Sequence, residues 1–266
     1  MTYRIAFIGM GTIAQDVART LLRGERGVGF ELGALSRSQP PGGELDILTC
    51  FAGLESLLAW RPDLVIEAAS QQAVWELVPA CLRAGIPVLV TSVGALADTE
   101  KFLALQQAAA QGGVALRVPA GAVASLDYLQ ALRGVEGVKV VYESRKPVDA
   151  WLDELALRGV APDALQEPLE LFRGNARDAA LRYPKNLNVA ATVALACSGM
   201  EATEVSVVVD PAATGNTHTI CVNSPMGELR TTLKNEPSPT NPKTSWVVAQ
   251  SIVSAVERQF ASFVVA

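Results

Sequence analysis

The stretch Tyr3-Arg4-Ile5-Ala6-Phe7-Ile8-Gly9-Met10-Gly11-Thr12-Ile13-Ala14 decides the fold. An apolar run halts at two glycines and passes into a helical stretch from Gln15 to Leu22. Gly-x-Gly-x-x-Ala between a strand and a helix is the opening of a dinucleotide-binding unit. Gly9 allows the sharp turn after the strand. Gly11 carries no side chain, so the backbone can approach a pyrophosphate whose charge sits on the helix N-terminus. Thr12 and Ile13 join Gly9 and Gly11 as expected cofactor contacts. Ala14 is small enough for the helix to lie close on the strand. Glycine patterns alone are common in loops; the position between strand and helix gives this one its weight.

The same rhythm continues outward. Phe30–Leu35 reads as a second strand, Leu54–Trp60 as a short helix and Asp63–Ala69 as a buried strand. Gln72–Ala84 is helical by its apolar spacing, and Gly85 is placed to stop it. Pro87–Thr91 and Val114–Val118 read as further strands around a helix from about Asp98 to Gln111. Continuous apolar strands separated by helices predict a parallel sheet covered on both faces, an α/β Rossmann-type domain. Beyond Pro119 the rhythm changes. Longer β-type runs at Val138–Ser144, Val205–Val209, Thr217–Val222 and Leu229–Leu233 surround helices near Ala124–Leu132 and Val189–Ala196. They predict an antiparallel sheet with helices on one side, a second α+β domain. A proline-rich connector, residues 235–242, precedes one helix over Ser245–Phe260, which is expected to return to the first domain. The expected division is residues 1–120 plus 241–266, and residues 121–240.

The 266 residues, half of them hydrophobic and 18% charged, describe a well-packed globular chain rather than a disordered one. A net charge of −5 supplies no field that would draw it to nucleic acid or an anionic membrane. The longest apolar stretches, such as Val189–Cys197, fall short of the roughly 18–20 residues of a membrane span. The glycine turn, Asp16 and Arg19 set the N-terminus apart from a signal peptide. Four scattered cysteines (Cys50, Cys81, Cys197, Cys221) and one histidine form no zinc constellation and fit a reducing cytoplasm. Cys197 and Cys221 read as core residues. No metal site is expected.

The usual NAD pattern ends its second strand in a carboxylate that binds the ribose hydroxyls. Here the strand ends Leu35-Ser36-Arg37-Ser38. Ser36, Arg37 and Ser38 can hydrogen-bond a 2′-phosphate, or Arg37 can lie over adenine and tolerate either cofactor. The reading favours NADP and leaves NAD open.

His218 is the single histidine, where the polar loop Asp210–Asn216 leads into a strand. It is the candidate for proton exchange near neutral pH. Asn188, in Pro184-Lys185-Asn186-Leu187-Asn188, either caps a helix or contacts a ligand. Asn241-Pro242-Lys243-Thr244-Ser245 either caps the last helix or lines a cleft. Arg145-Lys146-Pro147 follows a strand and offers charge to an anionic substrate.

Taken together these segments resemble the L-aspartate dehydrogenase family over nearly the whole chain. The resemblance runs from Gly9–Ala14 through Glu67-Ala68-Ala69-Ser70-Gln71, Ser92–Asp98, Pro119-Ala120-Gly121-Ala122 and Arg145-Lys146-Pro147. It continues through Pro184–Ala191, Asn216-Thr217-His218, Asn235–Pro239 and Asn241–Ser245. It implies a catalytic His218 and NAD contacts at Ala122, by backbone, and at Asn188, with Ala69 and Ser70 joining the cofactor set. It also implies a Rossmann domain plus an α+β domain that forms the interface of a homodimer. Ala120 departs from the family, which often has serine there; a hydroxyl contact at that point would be lost. The implied reaction is reversible oxidative deamination of L-aspartate to oxaloacetate and ammonia through iminoaspartate, with hydride passing to nicotinamide. Lys185, Arg145 and Lys243 are the candidate partners for the two substrate carboxylates.

Related enzymes fit less well. A single histidine cannot supply the His-His pair of dihydrodipicolinate reductases. Ser92-Val93-Gly94-Ala95 replaces the Glu-Lys-Pro of sugar oxidoreductases, and no Gly-Gly-x-x-Lys segment of the glutamate dehydrogenase type is present. A dehydrogenase of another small amino or hydroxy acid remains the alternative, followed by a non-catalytic NAD(P)H sensor.

Overall fold

The computed structural model describes residues 2–24, 29–37, 42–184, 186–239, 241 and 244–265. In chain order the elements are β1 (Thr2–Ile8), α1 (Thr12–Arg23), β2 (Gly29–Leu35), β3 (Thr49–Cys50), α2 (Leu54–Ala59), β4 (Leu64–Glu67) and α3 (Gln71–Arg83). Then come β5 (Val88–Val90), α4 (Thr99–Gly112), β6 (Leu116–Arg117), α5 (Leu126–Ala131), β7 (Lys139–Lys146), α6 (Leu152–Leu157) and β8 (Leu169–Asn175). The chain continues with α7 (Ala176–Arg182), α8 (Asn188–Ala196), β9 (Thr203–Val209), β10 (Asn216–Ser224), β11 (Gly227–Asn235) and α9 (Val247–Phe260). Two units emerge, residues 1–121 with 248–266, and residues 122–247.

The first unit is built on a parallel sheet in the order β3-β2-β1-β4-β5-β6. Its central strands are apolar on both faces because helices cover both, as the unbroken runs Ile5–Ile8 and Leu64–Ile66 require. The chain leaves β1 towards β2 on one side and returns as β4 on the other. That reversal makes the carboxyl ends of β1, β2 and β4 the place where a dinucleotide binds. α9 belongs to this unit: Ile252, Val253 and Val256 pack into the core of Ile5, Phe7, Val17, Leu21 and Ile66. Phe260 stacks on Tyr3 with ring centroids 4.0 Å apart.

The second unit carries a sheet in the order β11-β10-β7-β9-β8. β10 runs antiparallel to β7 and β11, and β8 antiparallel to β9. β7 and β9, however, are parallel, so the sheet is mixed where the sequence predicts an antiparallel one. The cause is β8, an edge strand the pattern hides: a register shift between Glu170 and Phe172 breaks its alternation. With β8 inserted, α7 and α8 carry the chain back so that β9 re-enters alongside β7. The connector also differs from expectation. Pro237 pairs with Ser245, Ser238 donates its N–H to the Thr244 carbonyl at 2.8 Å, and Trp246 donates to Glu236 at 2.9 Å. These bonds tie Thr244, Ser245 and Trp246 to the second unit, and α9 starts at Val247. Cys197 is buried, whereas Cys221 is half-buried on the sheet face away from the helices. No helix among the described residues is long and apolar enough to cross a membrane.

Candidate active site

The candidate dinucleotide site of the first unit is built from strand ends. Gly9 has φ +91°, and a Cβ there would lie 2.7 Å from the Ala69 side chain, so only glycine suits the turn. Its N–H donates to the Leu35 carbonyl at 2.9 Å, tying β1 to β2. Gly11 is glycine for a different reason. Its φ of −69° and ψ of −179° are open to any residue, and an added Cβ would meet nothing within 4 Å. It occupies the N-cap of α1, where serine or aspartate would normally satisfy the helix, yet no side chain caps it and the first turn holds no acidic residue. The bare N–H groups of the Thr12–Ile13 turn and the empty space above Gly11 fit a pyrophosphate. Ser36 and Arg37 follow β2, half-buried and exposed respectively. Ser38 lies outside the described residues.

At the end of β4 sits a carboxylate that sequence reasoning left without a role. Glu67 is fully buried. Its Oε1 accepts from the Ala69 N–H at 2.8 Å, the Ser70 N–H at 3.0 Å and the Ser92 hydroxyl at 2.9 Å. Its Oε2 accepts from the Ser92 N–H at 3.1 Å. Burial pushes the carboxyl up, and the bonds from Ala69, Ser92 and Ser70 pull it back. Ionisation suits a group whose hydrogen bonds all run inward from donors. The backbone N–H groups of Ala69 and Ser70 are thus spent on Glu67, and the Ser70 hydroxyl caps α3 by accepting from Ala73 at 3.2 Å. One carboxylate therefore fixes the loop after β4 against the end of β5.

In the second unit, β7 alternates strictly, with Val140, Tyr142, Ser144 and Lys146 buried. On the neighbouring β10, Asn216, His218, Ile220 and Val222 are buried, and His218 lies opposite Ser144. The helix-covered face thus gathers Tyr142, Ser144, Lys146, Asn216 and His218. The Tyr142 hydroxyl and His218 Nδ1 are 2.7 Å apart, their rings nearly parallel. Burial raises the Tyr142 hydroxyl, keeping it protonated, and lowers His218 from about 6.5 to about 3, with the Lys146 charge as the second cause. His218 is therefore neutral, with Nδ1 committed to the Tyr142 hydroxyl. Asn216 donates to the Ser245 hydroxyl at 3.2 Å, and Asn235 to the Ala122 carbonyl at 2.8 Å. Asn188 is the first helical residue of α8; Leu187 holds the cap position, so the side chain is not the N-cap that the sequence offered as one reading.

Of the three carboxylate partners named from sequence, Lys185 and Lys243 lie outside the described residues. Arg145 is already engaged: its guanidinium pairs with Glu143 at 3.0 Å and Asp210 at 2.9 Å, on the face of the sheet away from His218. Strand alternation separates it from its neighbour, and Lys146 is the residue that shares the histidine's face.

A parallel six-stranded sheet with a glycine cradle, joined to a unit that buries a neutral histidine beside a lysine, defines a nicotinamide-dependent oxidoreductase. Residues 9–119 match the model of the homoserine dehydrogenase NAD binding domain, and residues 127–259 that of the aspartate dehydrogenase C-terminal domain. The chain belongs to the aspartate dehydrogenase family. It is 55% identical to L-aspartate dehydrogenase 2 of Bordetella bronchiseptica over the full length of both chains. To L-aspartate dehydrogenase of Methanosarcina barkeri it is 38% identical, over 96% of each. The fold matches a crystal structure of aspartate dehydrogenase from Thermotoga maritima with a TM-score of 0.79 over 99% of each chain, at 22% identity. An archaeal homoserine dehydrogenase in complex with NADPH shares the fold with a TM-score of 0.61 over 99% of each chain, at 12% identity.

Two outcomes follow from this geometry. Gly11→Ala should fold with a stability change within about 1 kcal/mol, because its backbone suits alanine. Its NADH affinity, read by fluorescence titration, should fall roughly tenfold as the methyl occupies the phosphate cradle. Unchanged affinity would remove the pyrophosphate from this turn. The second concerns acid. His218 stays neutral in the fold down to about pH 3, whereas the unfolded chain takes up its proton near 6.5. Its contribution to stability is present above pH 6.5 and is lost as pH falls from there towards 3. In urea unfolding across that window, His218→Asn should flatten the slope by up to about 1.4 kcal/mol per pH unit. Identical slopes would mean the ring is not held neutral.

Proposed function

We propose that the chain is an NAD(P)-dependent L-aspartate dehydrogenase. L-aspartate, the oxidised cofactor and water give oxaloacetate, ammonia released as ammonium, the reduced cofactor and a proton; the reverse amination uses the same groups. The observation that carries this reading is a neutral, buried His218 whose Nδ1 is fixed by Tyr142, in a chain of this family.

Gly9, Gly11, Thr12 and Ile13 would hold the pyrophosphate, with Ser36 and Arg37 towards the adenosine. Ala69, Ser70, Ala122 and Asn188 complete the cofactor set. When bound, the nicotinamide supplies the acceptor for hydride leaving the substrate Cα. The end of β2 offers Ser36 and Arg37 without a carboxylate, which supports acceptance of NADP alongside NAD. The imine left by oxidation must gain water. In the tautomer that donates Nδ1–H to the Tyr142 oxygen, His218 presents the Nε2 lone pair, takes a proton from the attacking water and returns it to the departing amine. Tyr142 holds the ring in the orientation this requires, as a partner on the second nitrogen does for any histidine base.

We further read the chain as a cytoplasmic homodimer. Its cysteines are free thiols. The outward face of the second sheet carries half-buried Val141, Thr217, Thr219 and Cys221, a surface suited to a second copy. Light scattering should return twice the chain mass; a monomer at micromolar concentration would exclude the dimer.

Absorbance at 340 nm with L-aspartate and either NAD or NADP tests the reaction. His218→Ala should lose roughly 10²–10⁴ in rate while still binding NADH. Absence of turnover in the unmodified protein, with aspartate or with oxaloacetate plus ammonia, would sink the assignment.

A further inference from the structure

Lys146 is the lysine that the fold has taken out of water. No other lysine or arginine among the described residues is as buried. Its Nζ donates to the Asn186 carbonyl at 3.2 Å and lies 5.8 Å from the Trp151 ring centre. No acidic side chain among the described residues pairs with it, although the adjacent Arg145 has two carboxylates. A buried ammonium without a counter-charge is unfavourable, and a carbonyl dipole and an aromatic face compensate it only in part. Such a group is retained where an anion arrives to complete it.

Its position says which anion. Lys146 shares the helix-covered face of β7 with Ser144, which lies opposite His218. The two β7 positions are about 7 Å apart along the strand. The imidazole serves the carbon that loses hydride and its attacking water. The ammonium stands a short span along the same face, a reach suited to the far end of a four-carbon diacid.

We propose that Lys146 seats the distal carboxylate of the dicarboxylic substrate and so sets the preference for a diacid over amino acids with uncharged side chains. The proposal rests on the dehydrogenase reading for the substrate's identity, but the seat itself can be tested without turnover. The probe is succinate, a four-carbon diacid with no amino group to oxidise. Its binding to the NADH-loaded protein is measured by titration calorimetry, for the unmodified chain, Lys146→Met and Lys146→Arg. Lys146→Met keeps the stem against Trp151 and removes the charge. It should weaken succinate roughly 10- to 100-fold, the loss of one charge-assisted hydrogen bond, with the NADH dissociation constant within about twofold.

Thermal unfolding separates this from a packing role. Removing an uncompensated buried charge should leave the melting temperature of Lys146→Met unchanged or raised, whereas a structural lysine would lower it. Lys146→Arg, which keeps the charge, should bind succinate more tightly than Lys146→Met. In turnover, KM for L-aspartate should rise in Lys146→Met far more than kcat falls. The preference for L-aspartate over L-2-aminobutyrate, which lacks the distal carboxylate, should collapse.

Succinate binding that is absent in the unmodified chain, or equal in Lys146→Met, overturns the proposal. So does an undiminished preference for L-aspartate. Should Lys146→Met fail to fold, Lys146→Gln carries the same expectations. Lysine-dependent succinate binding without aspartate oxidation would support the seat and sink the dehydrogenase reading. Aspartate oxidation with unchanged KM in Lys146→Met would do the reverse.

Discussion

Keeping two basic groups out of water on one face of a sheet is the constraint around which the second unit is organised. His218 and Lys146 are both buried, and neither has an acidic partner among the described residues. Burial disfavours the charged form of each, and at the histidine the lysine's charge adds to it. Burial alone brings the lysine to about 8, and burial together with the lysine's charge brings the histidine to about 3. The two respond unequally. At neutral pH the imidazole is neutral, while the ammonium is predominantly charged. The face therefore offers a lone pair and a positive charge side by side, which is what an amino diacid needs from the protein that oxidises it.

The first unit solves the opposite problem with the opposite charge. Glu67 is as buried as His218, but it is enclosed by donors from Ala69, Ser70 and Ser92. It makes a rigid joint between the ends of β4 and β5, where a loop would otherwise have loose N–H groups. A fully satisfied buried carboxylate specifies one loop conformation, because any other leaves its oxygens unpaired. Gly9 enforces the same joint from the β1 side, since its missing side chain is what lets the turn lie against Ala69. The lysine, met by a carbonyl and an aromatic face but by no carboxylate among the described residues, and the saturated glutamate are thus different kinds of buried charge: on our proposal one receives a ligand, while the other holds a scaffold.

Much of this was legible in the sequence, for reasons that can be named. The parallel sheet shows because buried strands must be apolar throughout, and the glycine turn shows because its two glycines have distinct steric duties. His218 stands out by being the only histidine. What stayed hidden depends on pairing. β8 could not be read because its bulge breaks the alternation, and without it the parallel pairing of β7 with β9 does not appear. Glu67 carried a signal, a lone carboxylate closing the apolar run Leu64-Val65-Ile66, but its donors come from two loops that only the sheet brings together. The choice between Arg145 and Lys146 was decidable in principle. Counting by twos from Tyr142 gives Ser144 and Lys146, and the register opposite His218 turns that count into a shared face.

With His218 as the base and Lys146 as the carboxylate seat we propose, that shared face also links recognition to proton transfer. Part of the depression of His218 comes from the positive charge of Lys146, with Tyr142 and Ser144, both uncharged, as its other neighbours on these strands. A carboxylate seated on the lysine offsets that charge, and the lowering it imposes on the imidazole fades with it. The ring is then a stronger base with the diacid in place than in the free protein. An amino acid without the distal carboxylate would leave the lysine's charge unanswered and meet a weaker base. Discrimination built this way acts twice, once in binding and again in the readiness of His218 to take a proton. It needs no moving part, because the coupling is carried by Coulomb's law across two adjacent strands in a medium of low dielectric.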